Sequence, residues 1–123
     1  MAKFVNKQAT ITNSTLNTSS FGTATRIGTS LSSLTTDKAH VLIGCNVANI
    51  VSQTVTVDIA IVTDGGTGDD TFKYIAKSVS IPVGGSIELV TGKIVIDADT
   101  KEIHGICSVA NGADVVMSVL ENT

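Results

Sequence analysis

From Gln53 to Val62 the chain alternates: Val55, Val57, Ile59 and Ile61 are separated by Thr56, Asp58 and Ala60. A period of two puts the first set on the buried face of a β-strand and the second on the other face. The same reading places Val41, Ile43, Cys45 and Val47 on one face of a strand starting after Ala39. Further on, Phe72, Tyr74 and Ala76 keep one parity, whereas Val79, Ile81 and Val83 keep the other. A bulge or bend is therefore expected between Ala76 and Val79. Pro82 has no N–H for a ladder and belongs at an edge or strand end. Gly84-Gly85 and Thr91-Gly92-Lys93 are turn signals around a short strand carrying Ile87 and Leu89. Ile94 and Ile96 begin another strand, stopped by Asp97-Ala98-Asp99-Thr100. Ile103, Gly105, Cys107 and Val109 share a face, Asn111-Gly112 is a tight-turn pair, and Asp114 to Leu120 closes the chain. That last strand is apolar on both faces and is expected to be central. About eight short strands predict an all-β fold, a single-domain antiparallel β-sandwich of jelly-roll type.

Composition strengthens this picture. Fifteen Val, 13 Ile and 17 Thr give β-branched side chains more than a third of the 123 residues, and such residues suit a pleated sheet. Hydrophobic residues make up 42%, enough for one core. Residues 12–36 differ: 14 of 25 are Ser or Thr, Arg26 is the one charge, and Phe21 and Ile27 are the expected anchors. Two readings stay open for this segment, a strand-loop-strand passage in the sheet or an arm that orders against a neighbouring subunit. The organisation expected is a Ser/Thr-rich N-terminal arm with the first strands over 1–38 and a sandwich core over 39–123, one domain overall.

Charge and chemistry mostly exclude. Eight Lys and Arg against 11 Asp and Glu give a net charge of −3, and aromatics are 3%. Without a basic stripe or stacking aromatics, nucleic-acid binding is not expected. No apolar run follows Met1-Ala-Lys-Phe-Val-Asn-Lys, and none approaches the ~18 residues of a membrane span, so neither export nor a membrane is expected. Val41-Leu42-Ile43-Gly44-Cys45 looks like a lipobox but lacks a hydrophobic signal ahead of it. Cys45 and Cys107 are then reduced thiols of a protein assembled in a cytoplasm. A pair between them stays open if their strands adjoin.

His40, Cys45, His104 and Cys107 would make a zinc set by residue type. Strand parity sends each His to the face opposite its Cys, which predicts two buried thiols and two surface histidines. The same parity argues against a Cys–His nucleophile. Asp64, Asp69 and Asp70 in the glycine-rich 64–70 loop could hold calcium, but Asp and Gly also favour turns on their own; Asp97 and Asp99 are read as turn formers. Gly65-Gly66-Thr67-Gly68 runs into Asp69-Asp70 where a phosphate loop needs Lys and Ser or Thr. No catalytic, cofactor-binding or metal residue is assigned, and no enzyme activity is expected.

Several stretches carry a resemblance. Asp37-Lys38-Ala39-His40-Val41-Leu42-Ile43 is followed by Cys45-Asn46-Val47-Ala48-Asn49 and Val55-Thr56-Val57-Asp58-Ile59-Ala60-Ile61. Then come Tyr74-Ile75-Ala76-Lys77-Ser78-Val79-Ser80-Ile81-Pro82-Val83-Gly84-Gly85-Ser86 and Asp114-Val115-Val116-Met117-Ser118-Val119-Leu120-Glu121. Over about residues 35–121 these resemble a group of small structural proteins of tailed bacteriophages, common in phages of marine bacteria. Ile96-Asp97-Ala98-Asp99-Thr100 stands where such proteins often carry a Leu-Glu-x-Gly-Asp-like turn. The resemblance implies a virion component: foremost a capsid decoration subunit on the major capsid protein lattice, next a neck, tail or fibre-attachment piece. It also implies a homo-oligomer, a trimer or ring, with other virion proteins as partners. A carbohydrate-binding adhesin module on the same sandwich is the other expectation, although only Tyr74 offers a sugar-stacking ring with a polar tip.

Overall fold

A computed structural model describes residues 2–12, 14, 25–26, 40–63, 71–96 and 101–122. Phe21, Ile27, most of the 12–36 segment, the 64–70 loop and Asp97 and Asp99 lie outside the described residues. In chain order the strands are β1 (Ala2–Ile11), β2 (Thr25–Arg26), β3 (His40–Asn49), β4 (Val55–Thr63) and β5 (Thr71–Ile81). They continue with β6 (Ser86–Glu88), β7 (Ile94–Ile96), β8 (Lys101–Cys107) and β9 (Ala113–Asn122). One sheet runs β1-β9-β3-β6, with β7 also on β3, and the other runs β2-β8-β4-β5.

Every pairing is antiparallel. β6 pairs with residues 46–48 of β3 and β7 with residues 40–42, so the two are halves of one interrupted edge strand. Counted that way, two four-position sheets stand in jelly-roll order, as expected, and the chain changes sheet at every step except between β4 and β5. No helix of the described residues is long and apolar enough to cross a membrane.

Between the sheets lie Ile11, Leu42, Cys45, Val47, Val55, Val57, Ile59, Ile103, Cys107, Val115, Met117 and Val119. β9 sits between β1 and β3, the central place its two apolar faces predict. β5 is offset where its phase slips: Val57 pairs with Val79 but Ile59 with Ala76, and Ser78 takes φ 55°. The Ser78 N–H donates to Asp58 Oδ1 at 2.6 Å, which holds the bulge. Pro82 follows the strand, and Leu89 falls just outside β6. Asn111 adopts φ 61° in the predicted turn, but the turn carries the chain from one sheet to the other. Its N–H donates to Ile11 O at 2.9 Å, tying the end of β1 to it. Gly112 has no room for a side chain there, since a Cβ would stand 2.7 Å from Val109 O.

β3 corrects the sequence reading. Its pairing with β9 shifts register between Leu42 and Gly44. Ahead of that bulge His40 and Leu42 are buried, after it Cys45, Val47 and Asn49, while Val41 and Ile43 are half-buried. Val41-Leu42-Ile43 is apolar throughout and fixes no phase, so the bulge decides which residues turn inward. Asn49 satisfies its buried amide locally: Nδ2 donates to Gln53 O and Ile81 O, and Oδ1 accepts from Val51 N–H.

Candidate functional site

The expectation of two surface histidines fails. His40 is 2% and His104 6% exposed. The bulge in β3 brings His40 to the buried side with Cys45, and β8 lies inside its sheet between β2 and β4. The thiols are buried as expected and both are free. They do not pair, and the condition for pairing, adjoining strands, is not met: β3 and β8 belong to different sheets. No group of three or more His, Cys, Asp or Glu among the described residues could hold a metal ion. His40 therefore shares the buried side with Cys45, against the parity reading, whereas His104 does stand on the face opposite Cys107 and is buried there.

Cys45 sits beside the gap between β6 and β7. Its N–H donates to Glu88 Oε2 at 2.6 Å, the same oxygen accepts from Val90 N–H at 3.2 Å, and Leu89 N–H donates to Cys45 O at 2.8 Å. Glu88 therefore supplies an acceptor where the interrupted strand offers none. Burial, then the Glu88 charge, push the Cys45 thiol up to about 12. Such a thiol is inert at neutral pH.

The outer faces of the two sheets differ. On the four-stranded sheet, Ala60, His104 and Ile106 are buried although they face away from the core cluster. On the five-stranded sheet, large apolar side chains stay open. Phe4 is opposite Leu120, Leu120 opposite Val41, and Val41 opposite Val95. Residues directly opposite share a face, so these four form a row across four strands, roughly 14 Å long. Phe4 at its end is 75% exposed and Val95 55%. Beside it lies a small, polar row of Asn6, Ser118 and Gly44, then Gln8, Val116 and Asn46. β1 is inverted relative to polarity: Lys7, with a side chain only 13% exposed, lies 3.9 Å from Glu121, while Phe4 points to solvent. The row was missed in the sequence because only register assembles it. The alternation Phe4, Asn6, Gln8 was the available signal, and it does not say which face is covered.

A second feature lies where the two sheets' edges meet. An open groove of about 440 Å³ is lined by Ile61, Lys73, Tyr74 and Ile75 on one side and by residues 89–94 on the other. Ile61, Ile75, Leu89 and Ile94 supply its apolar part, with Lys73 and Lys93 exposed beside them. Lys77 lies over the Tyr74 ring, 5.3 Å from its centroid.

The chain matches no protein-family profile, and no curated protein is similar to it. Among solved structures it is similar to the CBM22-1 xylan-binding domain of Paenibacillus barcinonensis Xyn10C, at 10% identity and a TM-score of 0.49. That alignment covers 76% of this chain and 62% of the other. It is also similar to the CBM22-1-GH10 modules of Clostridium thermocellum xylanase 10B, at 12% identity and a TM-score of 0.43. There it covers 73% of this chain and 18% of that one. The chain thus spans less than two thirds of either structure.

Proposed function

We propose that the protein is a non-enzymatic structural subunit of a bacteriophage virion, foremost a capsid decoration subunit, that docks through the outer face of its five-stranded sheet. The observation that carries this is the apolar row Phe4–Leu120–Val41–Val95, with Phe4 three-quarters exposed. An exposed Phe costs about 1.5–3 kcal/mol relative to a buried one, a cost that docking removes. The resemblance over residues 35–121 supplies the setting, and the neck, tail or fibre position is its alternative within the particle. A sugar-binding module has less support: Tyr74 is its natural platform, and Lys77 covers one face of that ring.

The test has two parts. Copy number in purified virus particles, counted against the major capsid protein by quantitative mass spectrometry, should approach the stoichiometry of the capsid lattice. A ratio near that of the portal would move the protein to the neck or tail, and absence from particles would discard the virion reading. In parallel, Phe4→Ser with Val95→Ser should leave the melting profile unchanged and abolish rebinding to particles. Undiminished rebinding would remove the row from the interface.

A further inference from the structure

We propose that the groove beside β5 binds an extended, acidic polypeptide segment of another protein, added as a strand to the free edge of β5. This does not depend on the Phe4 row, which lies on the other sheet. β5 ends its sheet, so among the described residues one side of its backbone has no strand partner. The Ser78 bulge, a second register shift between Tyr74 and Ala76, and Pro82 break up the rest of the strand, which leaves Thr71–Tyr74 as regular edge. Next to that stretch is the groove, where Ile61, Ile75, Leu89 and Ile94 pack on the core but stay partly open. At about 440 Å³ it falls within the ~300–1,000 Å³ of ligand sites. Strand addition needs these two elements together: an unused backbone edge for affinity and an apolar slot for alternate side chains.

Charge selects the occupant. Among the described residues, Lys73 on β5 and Lys93 just ahead of β7 line the groove, no carboxylate lines it, and neither lysine has an ion-pair partner. Elsewhere, Lys3 and Lys7 both lie 3.9 Å from Glu121. In a chain of net charge −3, the described lining of the groove thus carries positive charge only. A lysine on an edge strand also guards against aggregation, which accounts for Lys73. It does not account for Lys93, which lines the groove from just ahead of β7. The chain's own 12–36 segment has no acidic residue and carries Arg26, so charge favours a partner's segment.

The experiment is an NMR titration of the full chain with a blocked peptide of sequence Asp-Val-Glu-Val-Asp-Val. Three comparison ligands accompany it: a version with Lys at the acidic positions, a version N-methylated at alternate residues, and a thymidine oligonucleotide. Amide shifts should cluster at residues 73–75 and 89–94, with the Lys and N-methylated peptides silent. In Lys73→Glu with Lys93→Glu the dissociation constant should rise at least about tenfold. Shifts confined to other surfaces, or no shifts at millimolar peptide, would overturn the proposal. Equal binding by the N-methylated peptide or by the oligonucleotide would also overturn it, since charge alone would then suffice.

Discussion

Cys45 shows how one side chain ties local chemistry to stability. Its thiol is fully buried and its pKa is pushed up to about 12, by burial first and Glu88 second. An unfolded thiol ionises near 8.5–9, so between there and about 12 the folded state holds one more proton than the unfolded state. Stability from this group is complete below pH 8.5 and falls as pH rises, by about 1.4 kcal/mol per unit, until the folded thiol itself ionises. Urea denaturation at pH 8, 9, 10 and 11 should give that slope as the difference between the native chain and Cys45→Ala. Parallel curves would mean that Cys45 ionises in the folded state as it does in the unfolded one. The two histidines teach the complementary point. Parity read His40 and His104 as surface residues, but their burial depends on a bulge and on neighbouring strands that no local pattern announces.

At the level of strands, legibility followed how strictly the pattern alternates. β4 was readable because polar or small residues separate Val55, Val57, Ile59 and Ile61, and β9 because it is apolar on both faces. The β5 bulge was readable because the phase visibly slips, and the β3 bulge was hidden because Val41-Leu42-Ile43 has no phase to slip. The candidate surfaces were not readable at all: the apolar row and the groove are assembled from residues distant in sequence by register and sheet order. The β5 bulge makes a testable case. Ser78 holds φ 55°, where a non-glycine residue costs about 1–2 kcal/mol, partly offset by its N–H bond to Asp58. Ser78→Gly should therefore stabilise the fold by about 0.5–1 kcal/mol, and Ser78→Val should destabilise it by about 1–2 kcal/mol. Chemical denaturation measures both; equal stability of the three chains would mean that the bulge carries no strain.

For the whole molecule, the question is where the folding unit begins. Composition sets the core at 39–123, yet β1 lies well outside that range and pairs with β9 in continuous register from Ala2↔Asn122 to Ile11↔Ala113. Ile11 is fully buried, and the 109–112 turn donates an N–H to its carbonyl. Without β1, the apolar strand β9 becomes an edge, with Val116 and Leu120 on one face and Val115, Met117 and Val119 on the other. A chain lacking residues 1–12 should consequently lose its cooperative melt and aggregate through β9. A synthetic peptide of residues 1–12, added in trans during refolding, should restore solubility and a sigmoidal transition. Phe4→Ser in that peptide should rescue equally well, because Phe4 lies on the outer face, whereas Ile11→Asp should not rescue. Cooperative unfolding of the shortened chain by itself would place β1 outside the folding unit, as a strand that docks on a finished sandwich. The two Phe4 experiments then separate cleanly: under the proposed docking role the same substitution should be neutral for folding and decisive for docking, whereas a loss in both would mark Phe4 as part of the folding unit.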